Sequence, residues 1–161
     1  MEGFFFVSVE KRTTLSNWRF KMTRREAREE AFFIVFEHSF SGEQVDDIIA
    51  NAVEGRSLQI NPFAYSLAKN SIEQLDALDQ LIEKHAIRWK KNRISKVSLA
   101  VLRLALYEMR YEESIPESVS INEAVELAKK FGGEEDSSFV NGVLGAISRE
   151  SGHIKEADGK A

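Results

Sequence analysis

The stretch SLAVLRLALYEM, residues 98–109, limits the possible folds more than any other. From Leu99 to Tyr107 it is apolar nearly all round, broken only by Arg103, and a helix without a polar face has to be enclosed by its neighbours. Those neighbours are helices, because no stretch past residue 22 alternates apolar and polar side chains as a half-buried strand would. The periodicity predicts six of them, at about 23–40, 43–54, 62–86, 95–112, 118–131 and 137–150, joined by short links into an all-α helical bundle. In the long third helix Phe63, Leu67, Ile72, Leu75, Leu78, Ile82 and Ala86 keep a near-3.6 spacing throughout. Arg103 then needs a counter-charge, expected from Glu108 or Glu123, unless it snorkels to the surface.

Local signals mark the helix ends. Thr23 followed by Glu26 is a capping box, and Ser120 with Glu123 has the same spacing. Pro62 and Pro116 fall where a missing amide proton costs little. Lys129, Lys130 and Gly132 suit a helix C-terminus, with Gly132 in the left-handed conformation. The last helix carries Phe139, Val140, Val143, Leu144 and Ile147 as its apolar stripe, and Gly142 and Gly145 in it suggest close approach of another helix or a ligand. Residues 151–161 read as a flexible polar tail.

With 161 residues, 43% of them hydrophobic, the chain can bury one core. The lack of cysteine excludes disulfides, thiolate metal sites and thiol catalysis, and agrees with a cytoplasmic setting. No apolar run approaches the roughly 20 residues of a membrane span, and GFFFVSV at 3–9 is short and follows Glu2 where a secretory signal needs positive charge. The net charge of −4 hides an uneven layout. RWKKNRISK at 88–96 holds five cations and no acid, which gives either an RNA-contacting patch or a solvated linker. Trp89 within it is either a core anchor or a platform for a base.

Nothing in the chain reads as catalytic or metal-binding. His38, His85 and His153 lie on three separate segments, and no phosphate loop, HExxH or GxSxG is present. What stands out is helix one. On a wheel of about 100° per residue, Ala27, Ala31, Ile34, Val35 and His38 share one face. Arg24, Arg25 and Arg28 begin a second stripe that continues through Phe32, Phe36, Phe40 and Phe33. The arginines occupy the end of the helix where the macrodipole opposes cations, so something other than helix stability wants them there. The second stripe either packs on another helix of the chain or presents phosphate contacts beside an apolar docking surface.

Four segments, in this order and spacing, resemble the NusB family of bacterial transcription antitermination factors: RREAREEAFFIVF (24–36), LRLALYE (102–108), SINEAVELAKKFG (120–132) and FVNGVL (139–144). The resemblance covers about residues 22–150. It makes Met22 the expected natural start and residues 1–21 an N-terminal extension, expected to be disordered or else a misassigned start or cloning remnant.

What the resemblance implies is a fold of two three-helix bundles and a role without catalysis, cofactor, metal or membrane. Such proteins pair with the small-subunit ribosomal protein NusE, bind the single-stranded boxA element of nascent RNA, and act with other Nus factors on RNA polymerase in transcribing ribosomal RNA operons. Carried over residue by residue, Arg24, Arg25 and Arg28 fall in the RNA-contacting start, with Glu135 and Phe139 beside the RNA. Phe36 matches the aromatic that docks the ribosomal protein, and Phe32 accompanies it on the same stripe. Two positions depart from the pattern: Glu26 replaces a frequent third basic residue and Phe33 a frequent glutamine, so the RNA surface is expected to be less basic. The competing expectation is a helical protein-interaction module, for instance a homodimer that buries the Phe32/Phe36 stripe without selective RNA binding.

Overall fold

Thr23 starts the first helix as its spacing predicts. Its hydroxyl accepts from the Glu26 amide at 3.1 Å and its own amide donates to the Glu26 carboxylate at 2.9 Å. From there the computed structural model describes residues 22–53, 60–86 and 93–158. The expectations for residues 1–21, for 88–92 with Trp89, and for the His153 side chain lie outside the described residues.

Helix α1 (Arg24–Ser41) ends on Gly42, whose φ of 68° is left-handed and whose amide donates to the His38 carbonyl at 2.9 Å. Helices α2 (Val45–Val53) and α3 (Pro62–Glu73) both pack against it. The second half of the chain holds α4 (Leu75–His85), α5 (Lys96–Tyr111), α6 (Glu117–Phe131) and α7 (Glu134–Asp158). The described residues are thus all-α, and they form two compact units that meet in sequence between Glu73 and Gln74.

That meeting point corrects the expectation of one helix over 62–86. Gln74 adopts φ −98° and ψ 16°, which interrupts the α-helical ladder. Just upstream, the buried Ser71 hydroxyl donates to the Leu67 carbonyl at 2.6 Å, a back-bond that competes with the helix's own hydrogen bonding. The stripe ran on because both halves are amphipathic, but each serves its own unit. Ala64, Leu67 and Ala68 are buried on α3, and Leu78 and Ile82 on α4. Among the described residues the second unit therefore has four helices and the first three.

Helix α5 is the centre of the second unit, touching α4, α6 and α7. Every residue from Ser98 to Glu108 is buried. Fully burying a leucine such as Leu102 contributes about 1.5–3 kcal/mol. Ser95 caps the helix, accepting from the Ser98 amide at 3.0 Å.

Arg103 is buried and paired, though with neither expected partner. Asp79 on α4 receives it bidentately, from Nε at 2.8 Å and Nη2 at 2.9 Å. Glu108 sits five residues on, about 140° round the helix, and instead accepts from the Ser120 hydroxyl at 2.8 Å. That bond overturns the second capping box as well. Pro116 is the N-cap of α6, so Ser120 lies one turn inside the helix and turns its side chain to the core.

Two glycine expectations change too. Gly132 is right-handed, and Gly133, at φ 136°, makes the turn into α7. A Cβ on Gly132 would run into the Asp136 carboxylate, so the first glycine provides space and the second provides conformation. On α7 a Cβ at Gly142 would meet nothing within 4 Å, and at Gly145 only the tip of Arg149. Close packing does not account for either glycine among the described residues. The stripe Val140, Val143, Leu144 and Ile147 is buried as expected, with Phe139 half-buried at its margin. Helical backbone continues past residue 150 to Asp158.

Candidate nucleic-acid interface

The start of α1 sets three cations on its first two turns. Arg24 and Arg25 are exposed, whereas Arg28 is only 6% exposed. Glu26, the acid among them, is held by the capping box. The aromatic that meets the arginines comes from α3. Asn61 accepts from the amides of Phe63 at 2.9 Å and Ala64 at 3.3 Å, fixing the first turn of that helix and with it the half-buried Phe63 ring. The Arg24 guanidinium carbon lies 4.0 Å from the ring centroid and that of Arg28 5.7 Å. Such contacts are worth about 0.5–1 kcal/mol at exposed sites. That is close to the ~0.3–1 kcal/mol by which the macrodipole disfavours a cation at this end.

Further along α1 the phenylalanines form a ladder from interior to solvent. Phe32 is 0% exposed and stacks on Phe36 at 5.5 Å between centroids. Phe36 is half-buried and meets Phe40 edge-on at 5.0 Å, and Phe40 is 62% exposed. The stripe expected from the wheel is therefore graded. Phe32 does not reach the surface and backs Phe36, so Phe36 and Phe40 are the rings a partner would meet. Phe33 packs against Phe32 at 5.6 Å.

In the second unit, α7 opens with Glu134, Glu135 and Asp136 in its first turn, where carboxylates are favoured. Their surroundings separate them. Asp136 accepts from the hydroxyls of Ser95 and Ser98, the latter at 2.6 Å, tying the start of α5 to that of α7. Glu134 lies 3.4 Å from Lys129 in an exposed pair. Glu135 is exposed, and Phe139 follows one turn later on the same face.

Two groups outside these surfaces titrate away from their ordinary values. Glu150 is held below the usual carboxylate range by hydrogen bonds from Lys84, at 2.8 Å, and from His85. Lys69 is pushed up by the Tyr65 hydroxyl at 3.3 Å, which itself donates to Asp46 at 2.7 Å. His38 contacts the Glu43 carbonyl through Nδ1 at 2.7 Å. Among the described residues no three His, Cys, Asp or Glu side chains gather as a metal site would require, and no helix is long and apolar enough to cross a membrane.

Phe63 is the residue sequence reasoning missed at the arginine turn. It was legible only as one member of an apolar stripe, and no signal links residue 63 to residue 24.

Comparison with known proteins places these surfaces in a family context. The NusB family matches residues 25–149. The transcription antitermination protein NusB of Bacillus subtilis is 44% identical over 129 residues, covering 80% of this chain and 97% of the relative. That of Acetivibrio thermocellus is 41% identical over 140 residues, with 86% and 95% covered. Among solved structures, NusB of T. maritima superimposes with a TM-score of 0.68 at 36% identity, covering 80% of this chain and 92% of that one. A chain from a crystal structure of the antitermination factors NusB and NusE in complex with double-stranded RNA gives 0.69 at 28% identity, with 79% and 96% covered.

Proposed function

The chain belongs to the NusB family, and from that premise we propose that it is a bacterial transcription antitermination factor that binds boxA-type single-stranded RNA together with the ribosomal protein NusE. With other Nus factors it supports processive transcription of ribosomal RNA operons by RNA polymerase, in the cytoplasm. The role is one of binding, without a chemical step. Residues 22–150 make up the RNA-binding body, flanked by an extension at 1–21 and a tail at 151–161.

The observation that carries the reading is the presentation of α1, with exposed Arg24 and Arg25 at its start and Phe36 and Phe40 emerging farther along. Arg24 and Arg25 neutralise phosphates, and Arg28 contributes positive field from its buried position. Glu135 and Phe139 meet the bases, the acid accepting from base amino groups and the ring stacking. Phe36, supported by Phe32, docks the ribosomal protein. With so few cations the chain binds RNA weakly alone and more tightly once the partner adds surface.

The test is a titration of labelled boxA-type RNA and a scrambled control, with and without NusE, comparing the native chain with Arg24→Glu/Arg25→Glu. Selective binding that the partner strengthens and the double variant loses is the expected result. Equal affinity for both RNAs under every condition would overturn the reading. The exposure of Phe40 also favours a second association, a homodimer through the Phe36/Phe40 end of the ladder, which a concentration series in light scattering would register and Phe40→Ser would abolish.

A further inference from the structure

We propose that Phe63 is a positioning residue of the RNA surface: its ring holds the Arg24 guanidinium in place to receive an RNA phosphate, so the site is assembled from two helices. This rests on the RNA-binding reading and adds to it a residue outside the arginine-rich motif. The distances are those of a layered arrangement, with Arg24 4.0 Å from the ring centroid and Arg28, nearly enclosed, 5.7 Å away. A guanidinium lying on a ring face keeps its planar fork intact and directs N–H donors past the ring edge, the geometry a phosphate accepts bidentately. The ring covers part of Arg24 while the residue as a whole stays exposed, so the cation is held without being removed from solvent.

Stability gains little from the arrangement: the ring contact of Arg24 is worth about as much as the dipole costs a cation at this end, and Glu26 is engaged by the Thr23 amide. A flexible arginine would lose rotamer freedom on binding phosphate, and one already held on a ring loses less. Phe63 is itself fixed by the Asn61 cap, so α3 acts on the RNA site through where it places this ring.

Three variants of the full chain test this in the boxA titration with NusE: Phe63→Leu, Phe63→Tyr and Arg24→Lys. Phe63→Leu keeps apolar bulk and removes the π face, and should weaken RNA binding about twofold to fivefold. Phe63→Tyr should restore native affinity. Arg24→Lys retains the charge but not the fork. It should weaken binding by a similar factor in the native background and add little when combined with Phe63→Leu. Because residue 24 is exposed, this arm is read on a folded protein whatever Phe63→Leu does to the melting temperature. Native affinity in Arg24→Lys, or full multiplication of the two effects in the double variant, would overturn the proposal. Absence of selective binding by the native chain would overturn the RNA reading and this inference together. Normal native binding with an inert Phe63→Leu overturns the inference alone.

Discussion

The two units differ in how they place charge, although each buries some, Arg28 and Glu30 in the first and Arg103, Asp79 and Glu108 in the second. In the second, charged groups are drawn inward and matched: Arg103 with Asp79, Glu108 with Ser120, Asp136 with Ser95 and Ser98. In the first, Arg24 and Arg25 are placed at a helix end that disfavours them, and the aromatic ladder runs out into solvent at Phe40. Matched interior charges fix one arrangement of four helices. Cations at a positive helix end add little stability, since the ring contact only about offsets the dipole cost, and they gain value when an anion arrives. The difference teaches that the second unit is arranged chiefly to hold its shape, offering RNA at most the start of α7, and the first to offer a surface.

The strongest way to break this comparison is at Asp79. Asp79→Ala leaves the Arg103 guanidinium in the core without its carboxylate and should destabilise the protein by about 3–5 kcal/mol. The joint replacement Asp79→Leu/Arg103→Met should recover most of that loss, read from urea unfolding midpoints. If Asp79→Ala cost less than about 1 kcal/mol, the pair would not be the structural anchor its burial suggests. A smaller effect is expected at Gly142, where a methyl group meets open space. Gly142→Ala should stabilise the chain by about 0.5–1 kcal/mol. Weakened RNA or partner binding in that variant would extend the presenting surface of α7 beyond Glu135 and Phe139 and blur the contrast.

Fainter still is the acid response of Glu150. Its folded-state pKa lies below the unfolded value, so its contribution to stability is present above the ordinary value of 4.5 and is lost as pH falls through the folded-state pKa. Glu150→Gln should therefore unfold like the native chain below that range and slightly more easily near neutrality, in thermal melts across pH. At the bottom of the scale, Arg24→Glu/Arg25→Glu should leave stability within about 1 kcal/mol, since carboxylates favoured by the dipole offset the lost ring contact. Paired with lost RNA binding, that near-neutral result separates what the first unit presents from what it needs to fold.

Legibility in the sequence followed the range of the interaction. The Thr23/Glu26 box and the enclosed α5 were readable because a cap spans three residues and an all-round apolar helix declares its burial by itself. The break at Gln74 was hidden by an apolar stripe that keeps its period while changing the core it serves. The partner of Arg103 was hidden because several acids on its own and other helices, Glu108 and Glu123 among them, could serve as well as Asp79, and only packing selects one. Ser120 carried a cap signature that the earlier start at Pro116 made void. At the interface the arginines and phenylalanines of α1 were readable as a stripe. The depth of each ring, and the arrival of Phe63 from α3, depend on packing between distant segments and left no local trace.

The graded burial of the ladder on α1 also bounds how this face can drift under mutation. Phe40 is open to wide exchange, Phe36 only to residues that still lie flat on the ring beneath it, and Phe32 to almost nothing, because it belongs to the core. Change in what this surface prefers therefore enters from its outer end, one ring at a time, while the inner ring stays fixed by the core.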